Sequence, residues 1–161
     1  YPYLHKDLGY LKETISMLSA KKVNVFIVIT FALLLGCFFQ MYFIFYLSRT
    51  FDFKLTSSSS LLYLSMGIAT VIATLCNARN YPNIHFWAAA YYFFIAPITM
   101  LHIGYEAISY NYNIFTVSLL LTSLYIIGNF IFAIKFKKVN ATFEVFCFLV
   151  LSIWTLYMTF I

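Results

Sequence analysis

Five apolar stretches, at residues 24–47, 59–76, 84–105, 114–134 and 141–161, take up most of a 161-residue chain and leave little polar sequence between them. Each approaches the ~20 residues that a helix needs to cross a hydrocarbon core of about 30 Å. With 63% hydrophobic residues, 9% charged residues and a mean hydropathy of +0.89, the chain fits no soluble class. Lipid supplies no hydrogen bonds to the backbone, so each spanning segment must satisfy its own amides as a helix. A transmembrane β-barrel would show segments of strict apolar/polar alternation. Phe31-Ala32-Leu33-Leu34-Leu35 and Leu119-Leu120-Leu121 do not alternate. The first apolar run is also too long for a secretory signal peptide, and further spans follow it. The expected fold is therefore all-α: a polytopic transmembrane bundle over 24–161, with five visible spans in antiparallel succession, preceded by a segment at 1–23.

That first segment carries Leu4, Leu8, Leu11, Ile15 and Leu18 at steps of three and four, with Lys6, Asp7, Lys12 and Glu13 mostly off the stripe. It reads either as a helix lying in the membrane interface or as a loop packed on the bundle. Gly9 would weaken such a helix by about 1 kcal/mol. The chain begins Tyr1-Pro2 and stops at Ile161 inside an apolar segment. The expectation is a processed chain or a portion of a longer one, with room for a sixth span upstream.

Charge sets the orientation. The net charge of +5 arises from ten Lys/Arg and five Asp/Glu, nearly all in the connections, so it speaks for topology and against a nucleic-acid partner. Eight of the ten (Lys6, Lys12, Lys21, Lys22, Arg79, Lys135, Lys137 and Lys138) fall on one side, and Arg49 and Lys54 on the other. Residues 1–23, 77–83 and 135–140 are accordingly expected in the cytoplasm. The sequon Asn140-Ala141-Thr142 would then go unused. Cys37, Cys76 and Cys147 lie in or at the ends of spans without a Cys-x-x-Cys pair. They read as small apolar filler, not as a disulfide framework or zinc site.

Ionisable groups inside a membrane are costly and are the natural functional candidates. His102 and Glu106, spaced i, i+4, share one helix face at the end of the third span. The pair reads as a carboxylate-oriented general base or as a polar cap where the helix meets water. His85 opens the same span about 25 Å away, so the two histidines cannot share a metal or haem. Glu144 lies one turn into the last span, where a carboxyl either faces the bundle or answers the positive helix start. Gln40 and Asn129 are polar points inside spans one and four, suited to bonds across helices or to a lipid headgroup. Pro97 frees a carbonyl and is expected to bend the third span. Tyr91, Tyr92, Phe93 and Phe94 read as lipid-facing or packed rings, with a quinone or sterol groove as the functional alternative. Ser65, Ala69 and Ala73 form a small-residue stripe suited to close helix approach, either within the chain or in a homo-oligomer. The connection at 49–58, which ends in a run of four serines, reads as a flexible loop or a helix cap. No phosphate-binding glycine loop, His-Glu-x-x-His, Gly-x-Ser-x-Gly or acidic metal cluster is present, so neither a cofactor nor a metal is called for.

Several landmarks together resemble the domain-of-unknown-function family 998, small integral membrane proteins loosely similar to the Frag/DRAM/Sfk group. They are Asp7-Leu8-Gly9, Ser65-x-Gly67, Tyr81-Pro82-x-x-His85, Ala88 to Ala90, Phe93-Phe94, Pro97, Gly104, Glu144 and Trp154. Lys6 stands where the family more often has serine. The resemblance implies a six-helix fold with one span upstream of Tyr1, and a lipid-linked or trafficking role by analogy.

Three functions follow as expectations. The leading one is a non-enzymatic membrane protein that binds lipid or protein partners in the bilayer, with His85, Glu106, Glu144, Gln40 and Asn129 as polar contacts. The second is an accessory subunit of a larger membrane complex. The third is a lipid-modifying enzyme using His102 and Glu106 with water.

Overall fold

The computed structural model describes residues 23–52, 54–76, 80–136 and 141–161. The amphipathic stripe at 4–18, most of the basic turn at 135–140 and Arg79 lie outside the described residues. Helices α1 (Val23–Thr50), α2 (Ser58–Leu75), α3 (Pro82–Glu106), α4 (Tyr112–Phe136) and α5 (Ala141–Thr159) follow one another, with a 3-10 turn at Ala107–Ser109 after α3. Among the described residues there is no strand. All five helices are long and apolar enough to cross a membrane, so the chain folds as an all-α bundle of multi-pass type.

The helix ends have local causes. The Phe51 amide still reaches the Leu47 carbonyl at 2.9 Å, and Asp52 then turns to φ +50°. This left-handed residue is the usual way to stop a helix, and aspartate tolerates it better than most. α1 therefore runs past the expected end at 47, because Ser48, Arg49 and Thr50 are polar without being helix breakers. Ser57 caps α2 with extended backbone, its hydroxyl accepting from the Ser60 amide at 3.3 Å. The serine run is thus a cap, with Ser59 and Ser60 fully buried. Pro82 starts α3 two residues before the expected boundary, at the first-turn position where a missing N–H costs nothing. At the start of α4, Asn111 Oδ1 accepts from the Asn113 amide at 2.9 Å.

Consecutive helices pack as neighbours, the α2–α3 and α3–α4 pairs most extensively. The bundle closes through α5. Trp154 is completely buried, donates from Nε1 to Ser118 Oγ on α4 at 2.8 Å, and stands edge-on to Phe43 of α1 at 6.1 Å. Near the end of α5, the Thr159 carbonyl accepts from the Tyr46 hydroxyl of α1 at 3.0 Å. The interior holds Ile44, Leu47, Tyr63, Met66, Met100 and Ile103. The outside is as apolar as the inside: Phe31, Phe38 and Phe45 of α1 and Trp87 and Phe94 of α3 are exposed. Helices apolar all round belong to lipid, where no inside-out pattern is needed. Hydroxyls are accommodated by bonding back to their own helix, as Thr70, Thr74, Thr99, Ser123 and Thr155 do to the carbonyl four residues earlier.

Two glycines mark the closest approaches. A Cβ on Gly104 would lie 2.5 Å from Ser118 Cβ, so α3 and α4 meet there almost backbone to side-chain root. A Cβ on Gly128 would overlap the outer edge of the Phe146 ring of α5, at Cε1 and Cζ. Pro97 leaves the Phe93 carbonyl without its helical donor. Across the interface the buried Tyr125 hydroxyl of α4 donates to that carbonyl at 3.1 Å, which is how a proline is tolerated where no water can substitute.

Candidate functional site

At the end of the bundle where α1 gives way to α2 and α3 to α4, an open cleft of about 400 Å³ is lined by Phe51, Lys54, Thr56, Ser57, Glu106, Ser109 and Tyr110. Helix ends place three of the lining residues: Phe51 by the close of α1, Ser57 by the cap of α2 and Glu106 by the last turn of α3. The Phe51 and Tyr110 rings stand edge to face at 5.4 Å, joining the two connections. Ser60 Oγ ties the first connection down by donating to the Lys54 carbonyl at 3.1 Å.

His102 and Glu106 meet as their spacing predicts, with Nδ1 to Oε1 at 3.6 Å. A third partner comes from another helix: Ser59 Oγ lies 2.8 Å from the same Nδ1. The composition is that of a Ser–His–acid relay, but the geometry is not. In a relay the nucleophile and the carboxylate occupy opposite ring nitrogens, so that the imidazole passes a proton through itself. Here both crowd one nitrogen, and Ser59 is fully buried whereas the His102 and Glu106 side chains are 37% and 24% exposed. Ser59 is therefore a positioning group that ties α2 to α3, not a nucleophile. Glu106 remains the reactive-looking member. Its Oε2 is covered and has no hydrogen-bond partner, a situation that costs about 1–3 kcal/mol until a donor arrives.

The other sequence candidates lie elsewhere. His85, at the opposite end of α3, places Nδ1 2.7 Å from the Ala73 carbonyl. A carbonyl can only accept, so Nδ1 carries the hydrogen and His85 clamps the end of α2 to the start of α3. Gln40 sits mid-bundle, with Nε2 3.5 Å from the Tyr92 hydroxyl and a buried Oε1 lacking a donor. Asn129 Oδ1 accepts from the Cys147 thiol at 3.3 Å, and Glu144 is buried in the first turn of α5. The structure thus distributes His85, Gln40, Asn129, Glu144 and Glu106 along the bundle and does not gather them. The Ser65, Ala69 and Ala73 stripe faces α3 of the same chain: Ser65 Oγ accepts from the Tyr91 hydroxyl at 2.9 Å, Ala69 is buried, and Ala73 holds His85. The aromatic block divides, with Tyr92 buried and Tyr91 and Phe94 exposed.

Lys54, Phe51, Ser59 and Tyr110 were not singled out by sequence as a site. The only available signal was one isolated lysine beside a serine run, with a polar-aromatic turn some fifty residues later. Among the described residues no group of three or more His, Cys, Asp or Glu could hold a metal. Compared with known proteins, the chain matches no family model, no curated protein and no solved structure.

Proposed function

We propose that this chain is a non-enzymatic polytopic membrane protein that binds a membrane lipid by its headgroup in the cleft between Lys54 and Glu106. The observation that supports this reading is the cleft itself. It sits where apolar helices end, and it combines a cation, an acid with an unpartnered buried oxygen, the hydroxyls of Thr56, Ser57 and Ser109, and an aromatic pair. A headgroup at that depth would meet polar groups while its acyl chains lay along the exposed apolar helix faces. The excess of basic residues on the other side of the membrane supports a cleft on the non-cytoplasmic face, with the lipid drawn from that leaflet. The crowding of Ser59 and Glu106 onto one nitrogen of His102 supports binding over serine-based hydrolysis.

Native mass spectrometry of the chain, extracted in mild detergent from its own membrane, tests the proposal. The expected result is a chain that retains one class of lipid, with that lipid lost from the Lys54→Ala/Glu106→Gln double variant. A chain that instead travels with stoichiometric protein partners and no lipid would make it a subunit of a complex and overturn the lipid reading.

A further inference from the structure

Resting on that lipid-binding reading, the geometry points to the headgroup class: we infer that the cleft takes a zwitterion in which a phosphate is joined to a primary ammonium, as in phosphoethanolamine. Lys54 and Glu106 have opposite charge and line one cleft of about 400 Å³, so a ligand satisfying both must carry both signs within a short span. Lys54 answers the phosphate. The cap of α2 lies on the same wall through Ser57, where the positive end of that helix favours an anion. Glu106 answers the ammonium.

The uncovered need at Glu106 selects among ammonium types. Glu106 lines the cleft and its covered Oε2 has no donor; once the side chain turns that oxygen to the cleft, a primary ammonium brings it three N–H groups. A quaternary ammonium brings none and would leave the oxygen as it stands. A purely anionic headgroup would set a second negative charge beside the carboxylate. A divalent cation, which wants several oxygen ligands, would meet one carboxylate and a lysine.

The test uses the purified full-length chain in detergent, presented with phosphatidylethanolamine, phosphatidylcholine and phosphatidylglycerol of identical acyl chains, and read by native mass spectrometry. Soluble glycerophosphoethanolamine serves as a competitor. The wild type is expected to retain phosphatidylethanolamine about tenfold over the other two, as one charge-assisted hydrogen bond supplies. Glu106→Gln should collapse that preference, while Lys54→Met should weaken all three phospholipids together. Unchanged helical circular dichroism and melting temperature of both variants exclude misfolding as the cause. Equal retention of the three lipids by the wild type, or an undiminished preference in Glu106→Gln, overturns the zwitterion assignment and leaves lipid binding standing. Binding of glycerophosphoethanolamine without retention of any phospholipid keeps the headgroup chemistry and overturns the lipid reading. Retention of neither overturns both.

Discussion

At the scale of single residues, the bundle is governed by polar groups that cannot turn to water. Tyr125 is the clearest case, since its hydroxyl is the donor that reaches the carbonyl orphaned by Pro97. Tyr125→Phe should destabilise the protein by about 1–2 kcal/mol, at the upper end for hydrogen bonds between membrane helices because the Phe93 carbonyl has no donor four residues on. In a Pro97→Ala background the helix would supply that donor itself, and the same Tyr125→Phe change should then cost close to nothing. Detergent-denaturation midpoints of the four proteins in this cycle measure the coupling, and equal costs in both backgrounds would refute it. Pro97 announces the freed carbonyl in the sequence. The donor, twenty-eight residues on, is one tyrosine among fourteen, and only the helix packing selects it. Likewise the His102–Glu106 pair is legible from i, i+4 spacing. Its third partner, Ser59, is forty-three residues away and reads locally as part of a cap.

Elements are held by small residues placed where two helices come nearest, and the two sites differ in what blocks them. At Gly104 the obstacle is Ser118 Cβ, rooted in the backbone of α4, which also presents the acceptor for Trp154. At Gly128 it is the far edge of the Phe146 ring, which can swing about its own torsions. Gly104→Ala should therefore cost about 2–3 kcal/mol and Gly128→Ala about 1 kcal/mol or less, as read from thermal unfolding in detergent. A larger cost at Gly128 would show that Phe146 is locked. The five spans themselves were readable because twenty apolar residues in succession leave lipid as the one available solvent. Apart from the start at Ala141, their ends were missed by one to three residues, because polar residues such as Ser48 to Thr50 continue a helix as readily as they end it.

For the whole molecule, the decisive quantity is which end faces the cytoplasm. Lys54 lies at the cleft end, and exposed Tyr81 lies at the other, just before α3. In a background with Cys76→Ser, Lys54→Cys should react with a membrane-impermeant maleimide on intact cells. Tyr81→Cys should react only after permeabilisation. The reverse pattern would turn the cleft toward the cytoplasm and change the leaflet from which a lipid is drawn. The cleft could not be read from the linear chain because its walls come from two connections brought together by α1, α2 and α3.

α3 is tied to α2 by a polar anchor near each end, His85 on Ala73 and His102 on Ser59. With a proline between them it would be a jointed arm, its two halves answering separately to their own sides of the membrane. The phenol of Tyr125 is the pin through that joint. Removing that phenol should therefore loosen α3 at Pro97 while leaving both of its ends tied to α2.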